Sequence, residues 1–162
     1  MKITLVERQP VRVACLRYTG PLGEPVARFW RKEVGPWLAD HGLLDCARYG
    51  LPLDHPDTTP ADSCRYDACV AMPMGLAIPG ASETMIPGGR FAVTVFKGRA
   101  AEIGAAWGSF VGAALSSHRF DPARPAHEHY PRGASLDSRT GVFSCELCLP
   151  LGAPAASAEK PR

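Results

Sequence analysis

The apolar positions change period twice within the first forty residues. Between Lys2 and Arg8, Ile3 and Leu5 alternate with Thr4 and Val6, and Val11 to Thr19 continues as a second extended run after Gln9-Pro10. Two early strands are expected. Past Gly20-Pro21-Leu22-Gly23 the period lengthens. Val26, Phe29, Trp30, Val34, Trp37 and Leu38 fall three and four residues apart between Glu24-Pro25 and His41-Gly42. That spacing predicts a helix opened by a proline in its first turn and closed by a glycine, with a kink or a division into two pieces at Gly35-Pro36. Trp30 and Trp37, two turns apart on one face, are expected in the core. Arg48 to Pro52 returns to a strand, residues 54 to 62 form a polar loop, and Cys64 to Pro73 make another strand before a Gly/Pro/Ser-containing connection over residues 74 to 84.

The same plan then recurs. The strand Arg90 to Gly98 answers Val11 to Gly20, the helix Ala101 to Ser117 answers Pro25 to His41, His127 to Pro131 answers Tyr49 to Pro52, and Val142 to Pro150 answers Arg65 to Pro73. Gly20/Gly98, Pro52/Pro131 and Pro73/Pro150 are offset by 78, 79 and 77 residues. So steady an offset predicts a duplicated strand, helix, strand, strand module. The expected fold is α+β: an antiparallel sheet carrying two helices, a pseudo-twofold arrangement of repeats spanning about residues 2–73 and 84–151, and a central ligand groove between them. A disordered tail is expected over residues 152–162. In the second helix Gly104, Gly108 and Gly112 recur every four residues, a flat ridge suited to close approach by a backbone or a ligand, with packing on the first helix the favoured expectation.

Composition narrows the functional classes. Hydrophobic residues make up 46% of the 162 and charged residues 21%, with a formal net charge of +2, so the chain can bury one substantial core and offers no basic track for nucleic acid. The N-terminus lacks a signal-peptide pattern and there is no membrane-length apolar run, so cytoplasmic residence is expected. The six cysteines read as reduced thiols, and neither Cys145-x-x-Cys148 nor Cys64 and Cys69 can converge on a metal, because odd spacing on a strand points the sulfurs to opposite faces. His127 and His129 share a face but are two ligands at most, with Glu128 turned away from them. No metal and no cofactor is expected.

What remains is a carboxylate among aromatics. Glu146 sits inside Val142 to Leu151, an apolar run with the composition of a strand covered on both faces, where an ionised group needs a cation, hydrogen bonds or a proton. With the counterpart of Glu146 taken as Cys69, the acid belongs to one repeat only. Trp107, Tyr130, Tyr49, Tyr66 and Phe91 complete an expected ligand-binding set suited to a flat, apolar, cationic or electrophilic molecule.

Val11 to Pro21, Asp54 to Pro60 with Arg65 to Val70, Ile86-Pro87-Gly88-Gly89-Arg90-Phe91-Ala92-Val93, and Cys145 to Leu151 together resemble the GyrI-like small-molecule-binding family, over about residues 2 to 151. That family includes the bacterial DNA gyrase inhibitory protein and the effector-binding domains of multidrug-responsive transcription regulators. The resemblance implies a duplicated fold with a central groove, a ligand-binding glutamate at Glu146 and an aromatic helix residue at Trp107; Tyr130 and Tyr49 match less specifically. Three functions follow as expectations: a stand-alone bacterial xenobiotic-binding domain without a helix-turn-helix; a detoxifying hydrolase of cyclopropane-type toxins with Glu146 as general base and Trp107 or Tyr130 assisting; and a protein that restrains DNA gyrase. The expected partners are a small molecule and, on two of these readings, gyrase or a separate regulator, with no direct nucleic acid and no membrane.

Overall fold

The computed structural model describes residues 1–134 and 136–154; the tail from residue 155 onward lies outside the described residues. Nine strands form one antiparallel sheet: β1 Thr4–Arg8, β2 Val11–Thr19, β3 Arg48–Pro52, β4 Arg65–Ala71, β5 Ser82–Ile86, β6 Gly89–Gly98, β7 His127–Tyr130, β8 Leu136–Asp137 and β9 Val142–Pro150. The helices are α1 Glu24–Phe29 and α2 Gly35–Asp40, joined by a π-helical stretch Trp30–Val34, and α3 Ile103–Leu115, entered through a 3-10 turn Ala100–Glu102. No helix among the described residues is long and apolar enough to cross a membrane.

The kink expected at Gly35-Pro36 is taken up as a change of helical period. Proline has no N–H to offer, and the Gly35 N–H reaches back five residues to the Trp30 carbonyl, so the wider turn carries the chain past Pro36 without a break. The connection expected over residues 74 to 84 contains the start of β5, which pairs with β2 from Val11↔Ile86 to Cys15↔Ser82.

The sheet order is β1-β6-β9-β7-β3-β4-β2-β5, with β8 on β9. The half containing β6, β9 and β7 therefore repeats, in reverse, the half containing β3, β4 and β2. Each half also lends its first strand to the edge of the other: β1 pairs with β6, as Thr4↔Val93 through Arg8↔Gly89, and β5 pairs with β2. The sheet curls into a half-barrel, and Gly88 lies so close to the Arg8 carbonyl and Pro10 that a Cβ would overlap them.

On the outer face two cores form side by side. Val26, Phe29, Val34 and Leu38 pack on Ala14, Tyr66, Ala68 and Val70, while Phe110 and Ala114 pack on Ala92, Phe96, Cys145, Leu147 and Leu149. Fully burying one leucine such as Leu38 is worth roughly 2 to 3 kcal/mol. Neither core uses β3 or β7 as its floor, so the seam between these strands is left open between the helices. The opposite face buries Val13, Cys15, Leu51, Cys69 and Ile86 beside Phe91, Val93 and Cys148.

Two expectations change here. Cys15 and Cys69, directly opposite in β2 and β4, are joined by a disulfide, whereas Cys46, Cys64, Cys145 and Cys148 are free; direct cross-strand pairing, which sequence spacing does not reveal, brings the two sulfurs together. The glycine ridge of α3 does not pack on the first helix: a Cβ at Gly104, Gly108 or Gly112 would meet nothing within 4 Å. Gly104 and Gly108 instead line the open groove.

Candidate functional site

The groove between the helices has a volume of about 1960 Å³ and its floor is the β3–β7 seam. Side chains alternate across a strand, so Glu128 and Tyr130 face the groove while His127 and His129 face the inside of the curl. Opposite them on β3, Gly50 pairs with Glu128 and Arg48 with Tyr130.

Glu128 is the carboxylate of this site. It is 5% exposed, and its Oε1 accepts hydrogen bonds from the Tyr66 hydroxyl at 2.6 Å and the Tyr130 hydroxyl at 3.1 Å. Tyr66 in turn accepts from the Trp30 indole N–H at 3.1 Å, and the Trp30 and Tyr130 rings lie 5.6 Å apart. Gly50 makes this arrangement possible, because a Cβ there would overlap both the Tyr66 hydroxyl and the Glu128 carboxylate. All the direct partners of Glu128 are neutral. Burial raises its pKa to about 6, against the opposing hydrogen bonds from Tyr66 and Tyr130. Both tyrosines are held protonated by burial and by the adjacent acid, so they remain donors. Trp107, on α3, lines the same groove, and its buried Nε1 has no hydrogen-bond partner among the described residues.

Glu146, the expected anchor, occupies a different environment. It points to the inner face, where Arg8 Nη2 donates to both its oxygens at 3.1 and 3.2 Å and His129 Nδ1 donates to Oε1 at 2.5 Å. The His129 hydrogen bond, then the Arg8 charge, hold its pKa below the usual carboxylate range despite partial desolvation. The cavity lined by its partners Arg8 and His129 is about 40 Å³, enough for little more than a water molecule. Tyr49 stacks on His129 with ring centroids 4.9 Å apart, and Phe91 is buried with Arg124 over its ring at 4.9 Å and His127 at 5.4 Å. Burial lowers the pKa of His127 to about 4, and its Nδ1–H donates to the Pro125 carbonyl at 3.1 Å.

Of the six expected ligand residues, the structure thus gathers Trp107, Tyr130 and Tyr66 around Glu128 in the groove and places Glu146, Tyr49 and Phe91 on the other side of the sheet. The residues missed are Glu128, Trp30 and Gly50. Parity was the available signal: a strand reading His-Glu-His-Tyr puts Glu128 beside Tyr130, away from the histidines.

The expected repeat would match residues differently once registers are known. With Gly20 and Gly98 kept equivalent, the pair Cys15–Cys69 falls on Val93–Cys148, so the counterpart of Glu146 is Asp67. Asp67 is ion-paired too, with Arg17 at 2.9 Å. Charge on the inner-facing position is present in both halves; the carboxylate found in one half alone is Glu128, facing a glycine.

The chain matches, over residues 1–151, the family described as GyrI-like small molecule binding domain. It is 28% identical over 144 residues to a DNA gyrase inhibitor of Escherichia fergusonii, an alignment covering 86% of this chain and 90% of that one. Among solved structures it is similar to the C-terminal domain of EcmrR (TM-score 0.68, 12% identity, covering 93% of this chain and 97% of that one). It is also similar to SAV2435 bound to tetraphenylphosphonium (0.62, 12%, 94% and 94%) and to a hydrolase from Listeria innocua (0.64, 11%, 93% and 92%).

Proposed function

Because the chain belongs to the GyrI-like small-molecule-binding family, we propose that it captures an apolar, aromatic-sized molecule bearing a cationic or electron-poor centre, in the cytoplasm, with Glu128 as the polar anchor. The observation that carries this reading is a fully buried acid whose direct partners are neutral hydroxyls, within a groove walled by Trp30, Tyr66, Trp107 and Tyr130. An acid in that setting gains from any cation brought to it, because Coulomb attraction is weakly screened there and the aromatic faces add ~0.5 to 2 kcal/mol. Glu146 does not fit the role: its charge is already balanced by Arg8 and His129, and no comparable space adjoins it. The neighbour that holds tetraphenylphosphonium supplies the probe. Titration with tetraphenylphosphonium should give binding that falls at least tenfold in Glu128→Gln and stays within about twofold in Glu146→Gln. Equal affinity in wild type and Glu128→Gln removes Glu128 as the anchor.

A second reading, hydrolysis, is favoured by the pKa of about 6 at Glu128 and by the unpartnered Trp107 N–H. Here Glu128 takes a proton from water as the water oxygen bonds to a strained cyclopropane carbon; the ring C–C bond opens, and its electron pair passes to a conjugated carbonyl oxygen polarised by Trp107 and then protonated. Repeated turnover abolished in Glu128→Gln supports the hydrolase, whereas capture at one equivalent supports the binder. The name of the sequence relative raises a third possibility, restraint of DNA gyrase. A supercoiling assay that shows no inhibition at stoichiometric excess removes it.

A further inference from the structure

The groove holds a set of arginines that the Glu128 anchor leaves unexplained. Arg31, Arg48, Arg99, Arg132 and Arg139 all line it, and among the described residues none of their guanidinium groups forms an ion pair, although the backbone N–H groups of Arg99 and Arg139 donate to Glu102 and Asp137. Away from the mouth the pattern is different: Arg8, Arg12, Arg17 and Arg65 are each bound to an acid. Asp54 is engaged by Arg65, and Glu24, Asp45 and Asp57 line the groove with Glu128, so the charges nearly balance overall and what distinguishes these arginines is their unpaired guanidinium groups.

Arg48 is the most informative of the five. It is half-buried on the groove face of β3, directly opposite Tyr130, and its one hydrogen bond is to the Leu44 carbonyl at 3.3 Å. Residues two apart on a strand sit about 7 Å apart on the same face, so Arg48 and Gly50, which faces Glu128, stand one side-chain spacing apart along the floor. A simple lipophilic cation satisfies Glu128 and leaves these guanidinium groups unused. A guanidinium fork is built to take a planar oxyanion in two parallel hydrogen bonds.

Resting on the reading of Glu128 as anchor, we infer that the groove selects an aromatic zwitterion: a cationic centre turned down onto Glu128 between Tyr66 and Tyr130, and a carboxylate turned outward to Arg48 and the arginines of the mouth. The permanent cation with no acidic group binds at the same anchor but is the less favoured class.

Two probes separate the possibilities: a carboxyalkyl-triphenylphosphonium and its methyl ester, which share the cation and differ by one negative charge. The wild-type protein at low ionic strength should bind the acid about tenfold more tightly than the ester. That preference should collapse towards unity in Arg48→Gln and shrink in 0.5 M salt, roughly five times the ionic strength at which the screening length is about 10 Å, while ester affinity is unchanged by Arg48→Gln. Arg99→Gln, at an exposed position, provides a variant with little bearing on folding and should remove part of the preference. An acid that binds no better than the ester, or a preference that survives both substitutions, overturns the inference while leaving the anchor intact. If Glu128→Gln binds both probes as wild type does, the anchor itself has failed and the inference fails with it.

Discussion

Strand β7 carries opposite chemistry on its two faces. Towards the groove, Glu128 is held by the hydroxyls of Tyr66 and Tyr130, and burial raises its pKa to about 6. Towards the interior of the curl, His129 donates to Glu146, which also takes both its oxygens to Arg8 and has its pKa lowered. Both are glutamates on central strands, and the difference lies in whether their charge has been answered. A carboxylate joined to a guanidinium and an imidazole is a brace; one held by neutral donors keeps an electrostatic demand that a ligand can meet.

The comparison is broken most severely at Gly50. Its missing side chain lets Tyr66 and Glu128 meet over β3, so Gly50→Val forces at least one of them away. A loss of about 3 kcal/mol in urea unfolding is expected, together with loss of tetraphenylphosphonium binding. A stable Gly50→Val protein that still binds shows that the Tyr66–Glu128 contact does not organise the groove.

The next effect is on pH dependence. Glu128 is more readily protonated in the folded chain than at its ordinary 4.5, so the native state holds more protons between about pH 4.5 and 6. Its contribution to stability therefore falls as pH rises through that window, by about 2 kcal/mol in total, and stays lost above it. His127, lowered to about 4 from 6.5, acts in the opposite direction between pH 4 and 6.5. The difference between wild type and Glu128→Gln across pH 4 to 7 isolates the acid. Parallel stability curves for the two proteins mean that Glu128 is ionised with no penalty, and the contrast with Glu146 disappears.

Much of the architecture was legible in the pattern of apolar positions: the two helical segments and the strands at the centre of the sheet. These depend on local periodicity, which survives without knowledge of partners. The site was legible only in part, because its decisive quantity is which groups meet. Glu146 lies in the more apolar run, yet its cation arrives from Arg8, 138 residues away. Glu128 sits in a polar-looking strand and is buried by Tyr66, whose approach depends on Gly50 across the seam. Trp30 reads as a core residue and does pack against the first core, but its N–H is spent on Tyr66 at the groove. The shift of the repeat partner of Glu146 from Cys69 to Asp67 has the same origin: prolines mark strand ends, whereas hydrogen-bond register sets equivalence.

On the inner face, Glu146→Gln removes a half-buried ion pair while leaving a hydrogen-bonding amide for Arg8 or His129. A cost of about 1 kcal/mol is expected. Since its folded pKa is lowered, that stabilisation is present above its ordinary 4.5 and disappears as pH falls through the lower folded value. The variant should converge on wild type in acid and separate from it above about pH 5, with ligand affinity unchanged throughout. A loss of affinity at neutral pH in a folded Glu146→Gln protein couples the two faces and ends the distinction between brace and anchor.

The smallest effect is expected at Asp67, which occupies the same place in the other half. It pairs with Arg17, its direct cross-strand neighbour, in a two-point contact at 2.9 and 3.0 Å. The geometry is as good as that of Arg8 and Glu146, and the Asp67 side chain, 15% exposed, is less open than Glu146 at 24%, but the Arg17 side chain is 53% exposed against 33% for Arg8, so water and salt reach the cation of this pair more readily. Asp67→Asn should cost no more than about 0.5 kcal/mol, and added salt should erase the difference from wild type. Measuring both variants in the same urea series asks whether burial, rather than hydrogen-bond geometry, ranks the two pairs. If Asp67→Asn costs as much as Glu146→Gln at high salt, geometry ranks them, and the low solvent access that distinguishes Glu128 then loses its force as the reason it alone is left for a ligand.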